Sequence, residues 1–293
     1  MRDNTIPAPQ RLYGILGHPL AQSLSPELHM RSFALLGHAG AYFRWEKKAD
    51  ELPDFFRAVR SLPIAGLSVT VPYKEAVISF LDDISARARA AGAVNTIFWQ
   101  GAKLLGDNTD IGAFMVPLKC RAGALPRRAL VLGAGGAARA ALAGLCELAV
   151  PEVALSARNR EKADELARVF GCLPLTWGER EDWLTSQESA LIVNATPLGM
   201  HGVYEEQSPF SEETFARLAA LCDGPPPFVA YDVVYNPRKT LFLQHAARHM
   251  LECLDGLAFF ISQAAAQQAL WLGTHLAEEQ LEAIAGELLR KKS

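Results

Sequence analysis

The sequence predicts an α/β protein built from two βαβ units in tandem. Three observations carry that prediction. Short apolar runs alternate with helical stretches through the first third of the chain, and a second strand–helix series begins at Ala129. Between its first strand and first helix sits the glycine turn Gly133-Ala134-Gly135-Gly136. Alternation of this kind produces largely parallel sheets covered by helices. With 293 residues, half of them hydrophobic, the chain is long enough for two cores.

Leu12 to Leu16 reads as a buried strand, followed by a helix opening at Ser25-Pro26. Serine there can cap, and proline suits the first helical position. Ala41 to Glu46 reads as a second strand, Asp50 to Ser61 as a helix and Gly66 to Val71 as a third strand. Pro72 then starts a helix through Phe80. Val94 to Trp99 and Lys103 to Leu105 read as an edge hairpin turned at Gln100-Gly101. A boundary falls near Cys120 to Arg128. Beyond it, Ala129 to Leu132, Val153 to Ser156, Ala190 to Asn194 and Phe228 to Asp232 supply strands, with an alanine-rich helix reaching Leu148. Leu257 to Leu272, interrupted by Ser262, Gln263, Gln267 and Gln268, is too short and polar to span a bilayer and reads as a buried helix.

The formal net charge of -3 argues against nucleic acid or an anionic membrane as partner. Five cysteines, widely spread and never paired as CxxC, fit a reducing compartment with buried thiols. The N-terminal stretch has no apolar core of a signal peptide, so a cytoplasmic location is expected. His245 and His249 stand at i, i+4 without an acid placed to complete a site, which reads as a solvated helix face, and no metal is expected.

A glycine turn between an apolar strand and a helix has a mechanism. It lets backbone approach a pyrophosphate, where the helix N-terminus offers free N–H groups and a positive dipole end. Ala138 takes the third position of the usual GxGxxG pattern. A tight turn chosen for packing is the plainer alternative, but the repeated βαβ context favours binding in a Rossmann-type, doubly wound unit. About twenty residues on, an NAD site normally carries an acid on the ribose. Here the chain reads Ser156-Ala157-Arg158-Asn159-Arg160-Glu161-Lys162. Cations in a helix's first turn oppose its dipole, and a bound 2′-phosphate would explain them, so NADP is favoured over NAD.

Polar residues also collect beside apolar strands in the first unit. Ser23 and Ser25 follow the first strand with spacing that lets both grip a carboxylate, where capping by Ser25 alone would leave Ser23 unexplained. Lys74 ends a strand-to-helix segment, and taken alone it is an ordinary surface lysine. Asp110 has helix capping as its plain alternative.

The combination is more specific than its parts. SLSP, SVTVPYKE, AGAVNT, LLGDNTD, GAGGAAR, NATPLGM, YDVVYNP and DGLAFFISQAA occur in this order, and from Tyr13 to Gly273 the chain closely resembles the shikimate dehydrogenase family. The resemblance implies reversible reduction of 3-dehydroshikimate to shikimate by hydride transfer, with NADP as cofactor. It implies that Ser23 and Ser25 bind the substrate carboxylate, that Thr70, Asn95, Asp110 and Gln263 bind ring hydroxyls, and that Tyr235 also reaches the substrate. Lys74 and Asp110 would form the catalytic pair, since oxidising a secondary alcohol requires removal of its proton; which of the two moves it stays open. Cofactor contacts are implied at Gly133, Ala134, Gly135, Gly136, Ala137, Arg158, Lys162, Ala195, Thr196 and Gly256. The expected division is a substrate domain over 11–117, completed by helices in 255–293, and a dinucleotide domain over 118–254. A monomer and a homodimer are both compatible with the sequence.

Three departures stand out. The cofactor segment usually reads Asn-Arg-Thr in that family and here reads Ala157-Arg158-Asn159, which leaves dual cofactor use open. Ile111 stands where glycine is expected. Gly256-Leu257-Ala258-Phe259 replaces Gly-Leu-Gly-Met. Two rivals remain: the quinate/shikimate branch, which often uses NAD, and a non-catalytic dinucleotide sensor. Ser25, where the quinate branch frequently has threonine, and the lack of an acid near Arg158 favour the shikimate–NADP type.

Overall fold

In the computed structural model, residues 10–292 are described except 203, 222, 223 and 225, and except the side chain of 292. The chain divides into two compact units, one holding the residues up to Thr109 with Ala264–Lys292, the other Asp110–Gln263.

The first unit contains β1 (Arg11–Gly17), α1 (Ser25–Leu35), β2 (Gly40–Glu46), α2 (Leu52–Val59), β3 (Ile64–Val69), β4 (Asp83–Ile84), α3 (Ala86–Ala91), β5 (Thr96–Gln100) and β6 (Lys103–Asp107). Its six strands are ordered β2-β1-β3-β5-β6-β4. The β1 strand pairs in parallel with both β2 and β3, and the β5–β6 hairpin adds on antiparallel to β3. Side chains alternate across a strand, so the sheet feeds two clusters. Leu16, Leu67, Val69, Val77, Val94 and Ile97 pack with the phenylalanines of α2, while Tyr13, Ile15, Leu20, Phe33, Tyr42 and Trp271 form the other.

The segment crossing into the second unit is α4 (Thr109–Cys120). There follow β7 (Arg128–Leu132), α5 (Gly136–Glu147), β8 (Glu152–Ser156), α6 (Arg160–Phe170), β9 (Leu173–Leu175), α7 (Glu179–Thr185), β10 (Ala190–Asn194), α8 (Glu212–Ala219), β11 (Phe228–Asp232), α9 (Leu241–Arg248) and β12 (Glu252–Leu254). The chain then returns along α10 (Gly256–Leu272) and ends in α11 (Glu278–Lys292). All pairings in the second sheet are parallel, in the order β12-β11-β10-β7-β8-β9. Phe210, Phe215, Phe228 and Phe242 are fully buried beneath it, each worth about 1.5–3 kcal/mol of burial.

Several elements differ from the sequence expectation, each for a physical reason. No α-helix starts at Pro72. The Lys74 carbonyl, which would continue such a helix, instead accepts the Val94 N–H at 2.7 Å, and only a 3-10 turn forms over Ala76–Phe80. Ser25 does not cap α1: Leu24 holds the cap position, and Ser23 Oγ accepts the Ser25 N–H at 3.3 Å. The third strand is Ile64–Val69 rather than Gly66 to Val71, because Pro63 already offers its carbonyl to Leu12. The hairpin is not at the sheet edge, since the two-residue β4 pairs outside β6. Cys120, Cys146 and Cys253 are exposed rather than buried, while Cys222 lies outside the described residues. No described helix is long and apolar enough to cross a membrane.

Candidate active site

In the first unit the candidate residues gather at the carboxyl ends of β1 and β3. Register aligns Leu16 with Val69, and the Thr70 N–H continues that ladder to the Leu16 carbonyl at 2.9 Å. On the far side of β3, the Val69 N–H reaches the Asn95 carbonyl at 2.7 Å, so Thr70 and Asn95 leave the sheet side by side. Lys74 is half-buried in the turn after Thr70. That turn is pinned twice, by the Val94 bond to its carbonyl and by Tyr73, whose hydroxyl donates to the Lys47 carbonyl at 2.6 Å.

Ser23 lies on the loop after β1 and Ser25 opens α1, and β2 holds that loop. Arg44 donates to the Ser23 carbonyl and to Glu27, both at 2.8 Å, while Glu46 accepts the Leu20 N–H at 3.2 Å. Arg44 and Glu46 escaped the sequence reading. Their spacing of two on a strand puts them on one face, which is the only signal they give.

The Asn95 carboxamide is buried and turned towards Thr109. Its Oδ1 accepts the Thr109 N–H and the Thr96 hydroxyl at 2.8 Å each, and its Nδ2 donates to Thr109 Oγ1 at 2.9 Å. A second buried network runs from the Tyr42 hydroxyl to Ser68 Oγ at 2.7 Å and on to Gln267 Oε1 at 2.8 Å. Gln267 is therefore an interior residue.

In the second unit, parallel register brings Leu132, Ser156, Asn194 and Asp232 level at the carboxyl edge. The loops carrying the candidate cofactor residues all leave from that edge, which is where open α/β sheets bind ligands. Gly133 donates to the Ser156 carbonyl at 2.8 Å with φ of +113°, and a Cβ there would lie 2.7 Å from the Ala195 carbonyl oxygen. Only glycine fits this combination. Ala134 and Ala137 are half-buried, and Gly135 caps α5, which begins at Gly136 with its first N–H groups directed out of the turn.

Arg158 and Lys162 are exposed, and among the described residues neither side chain has a protein partner. Arg160 is committed instead to Asp164 at 2.8 Å. Asn159, a departure in the sequence comparison, caps α6 by accepting the Lys162 N–H at 3.0 Å.

Thr196 folds back on Asn194, donating its hydroxyl to Oδ1 at 2.6 Å. Tyr235 stacks on Phe260 with ring centroids 4.0 Å apart, and Gln263 Nε2 donates to the Phe260 carbonyl at 3.0 Å. Gly256 starts α10 where a Cβ would meet the Val234 carbonyl oxygen at 2.5 Å, so close helix–loop packing demands glycine there. Asp110 is buried in the first turn of α4, and Ile111 beside it is fully buried. Tyr231 is also fully buried, stacked on Phe114 at 5.1 Å, and its phenol is raised well above the usual value by burial first, then by Asp255, Asp232 and Asp110.

Two other features do not compete as sites. His245 and His249 face Glu212 at 4.0 and 3.8 Å, rather than forming a solvated face, and Arg248 occupies the same carboxylate at 2.8 Å. A cavity of about 280 Å³ includes Arg121, Leu125, Pro227 and Phe228 in its lining, away from the carboxyl edge, and its Arg121 is tied to Glu252 at 2.5 Å.

Residues 15–97 match the family description "Shikimate dehydrogenase substrate binding domain". The chain is 42% identical over 286 residues to the shikimate dehydrogenase (NADP(+)) of Oleidesulfovibrio alaskensis, covering 97% of this chain and 98% of the relative. Among solved structures, the Thermus thermophilus shikimate 5-dehydrogenase in complex with NADP(H) and shikimate superposes with a TM-score of 0.79 at 34% identity, covering 94% of this chain and 99% of that one. A quinate dehydrogenase from Corynebacterium glutamicum in complex with NAD has a TM-score of 0.81 at 26% identity, with 94% and 99% coverage. Identity of this extent over nearly the whole length is decisive: the chain belongs to the shikimate dehydrogenase family.

Proposed function

We propose that the chain catalyses the reversible NADP-dependent oxidation of shikimate to 3-dehydroshikimate. The observation that carries the proposal is the gathering of Ser23, Ser25, Thr70, Lys74 and Asn95 at the carboxyl ends of β1 and β3 in a chain of this family. Two hydroxyls match a carboxylate, a hydroxyl and an amide match ring hydroxyls, and a lysine supplies proton chemistry.

The second unit fits NADP on its own geometry. Gly133 leaves a cradle that a Cβ would fill, the N–H groups opening α5 face out of it, and Arg158 and Lys162 are exposed cations without protein partners among the described residues. Gly133, Ala134, Gly135, Gly136 and Ala137 would hold the pyrophosphate, Arg158 and Lys162 the 2′-phosphate, and Ala195, Thr196 and Gly256 the nicotinamide end. When bound, NADP supplies the hydride acceptor, and its reduced form the donor. Lys74 and Asp110, acting as a pair, take the hydroxyl proton during oxidation and return it during reduction. Tyr235 and Gln263 orient the ring, so that proton and hydride leave the same carbinol group.

A steady-state comparison of shikimate and quinate, each with NADP and NAD, tests the proposal. Shikimate with NADP is expected to give the highest kcat/KM; a higher value for quinate with NAD would overturn both substrate and cofactor. Lys74→Ala is expected to lower kcat by about 10²–10⁴ while the protein stays folded. Unchanged turnover would remove Lys74 from the mechanism.

A further inference from the structure

Asp232 ends β11 and is fully buried, and among the described residues no cation forms an ion pair with it. Its carboxylate collects three neutral donors. Asn194 Nδ2 and the Val234 N–H both reach Oδ1 at 3.0 Å, and the Thr240 hydroxyl reaches Oδ2 at 2.6 Å. Each donor belongs to a different piece of the carboxyl edge: the end of β10, the loop after β11, and the start of α9.

The bonds continue outward. Asn194 Oδ1 accepts the Thr196 N–H at 3.1 Å and its hydroxyl at 2.6 Å, while Asn194 Nδ2 also donates to the Leu198 carbonyl at 3.0 Å. One amide thus shapes the whole 194–198 turn. On the other side, Val234 directly precedes Tyr235. The two loops meet again where the His201 N–H donates to the Asn236 carbonyl at 2.8 Å. Among the described residues, the Asp232 carboxylate is the side-chain group that joins the Asn194 turn to the Val234 backbone.

We infer that Asp232 is a positioning residue that ties the Thr196 loop and the Tyr235 loop into one body, so that cofactor and substrate contacts are set together. The inference rests on the proposed function for its substrate arm only. A carboxylate suits the position because all three neighbours donate. An asparagine would turn an N–H towards Thr240 or Val234, so that one of these two donors would lose its acceptor. Burial without a cation pushes the Asp232 carboxyl up to about 7, a cost that a side chain present only for packing would not carry.

The test uses Asp232→Asn, Thr240→Val and Thr240→Ser in the full chain. For Asp232→Asn, the NADPH dissociation constant, read by nicotinamide fluorescence, and the shikimate KM are both expected to rise about tenfold or more, since small misplacements of positioning groups carry such costs. Thr240→Val should reproduce the paired rise in weaker form, and Thr240→Ser should restore wild-type constants. Should Asp232→Asn fail to fold, the Thr240 pair carries the same comparison. Hydrogen exchange at the Thr196 and Val234 amides reads the linkage without any ligand, and both should lose protection together. A lowered Tm with both constants within about twofold, or with one segment alone losing protection, would overturn the inference. A wild-type chain that ignores shikimate would refute the proposed function and leave the exchange and NADPH results to decide this one.

Discussion

Asn95 and Thr109 hold each other by two reciprocal hydrogen bonds, Thr109 N–H to Asn95 Oδ1 at 2.8 Å and Asn95 Nδ2 to Thr109 Oγ1 at 2.9 Å. Thr109 is the first residue of α4 and Asp110 the second. The amide implied by family resemblance as a substrate ligand therefore also fixes the backbone that carries the proposed catalytic carboxylate. Asn95→Ala leaves the Thr109 N–H without its side-chain acceptor, a loss of about 1–3 kcal/mol in stability for a buried group. It should also lower kcat by about 10²-fold through displacement of Asp110. Thr109→Val keeps the backbone bond and should cost less on both counts. Kinetics and thermal unfolding of the two variants check this; a rise in KM alone for Asn95→Ala would mean uniform binding and no positioning role.

Arg158 is exposed, and among the described residues it has no protein partner. The loss of one charge-assisted contact is worth about 1.5–3 kcal/mol. Arg158→Ala should accordingly raise the KM for NADP by about ten- to a hundredfold and leave that for NAD nearly unchanged. Equal losses with both cofactors would place Arg158 against the adenine rather than the 2′-phosphate.

Features that impose a backbone demand were readable in the sequence. Gly133 announces itself because its φ of +113° excludes a side chain, and the parallel strands announce themselves as apolar runs. Short pairings were not readable. The β4, β9 and β12 strands span two or three residues and carry no periodicity. Which amides of α10 point inward was not readable either, because that helix is apolar nearly all round and no face marks them. The Arg44 and Glu46 clamp joins residues more than twenty positions apart, and nothing local in a single sequence signals such a contact. Asp232 looked like the end of a strand; its three donors come from three separate elements.

Two buried groups give the units opposite responses to pH. His29, stacked on Tyr42 at 4.6 Å, is lowered by burial from 6.5 to about 3, so it stays neutral in the folded first unit while the unfolded chain takes up a proton. Its contribution is complete above about pH 6.5 and is lost as pH falls towards about 3. Asp232 behaves conversely, since its carboxyl is raised by burial from 3.8 to about 7. The folded second unit retains a proton that the unfolded chain releases, so stability falls as pH rises from about 4 to 7. His29→Phe should flatten the acid limb of a Tm profile recorded from about pH 4.5 to 8, and Asp232→Asn should remove the decline towards neutrality. An acid limb unaltered in His29→Phe would assign acid sensitivity to other groups.

Gly133→Ala isolates the dinucleotide turn from the rest of the chemistry. The added methyl would sit 2.7 Å from the Ala195 carbonyl oxygen and 3.4 Å from Thr196 Cγ2, at a φ that L-residues rarely adopt. Backbone strain of this kind costs about 1–3 kcal/mol. Relief would push the 195–196 segment away from β7, because the Ala195 N–H is itself bonded to the Leu132 carbonyl at 2.9 Å. The effect should fall on the cofactor: an NADPH dissociation constant raised about tenfold or more, with the Ser23, Thr70 and Lys74 cluster, which lies in the other unit, undisturbed. NADPH fluorescence titration reads the first, and an unaltered shikimate KM at saturating cofactor reads the second. Unaltered NADPH affinity would show that the turn can relax without losing its ligand, and the cradle assigned to Gly133 would then lie elsewhere on the carboxyl edge.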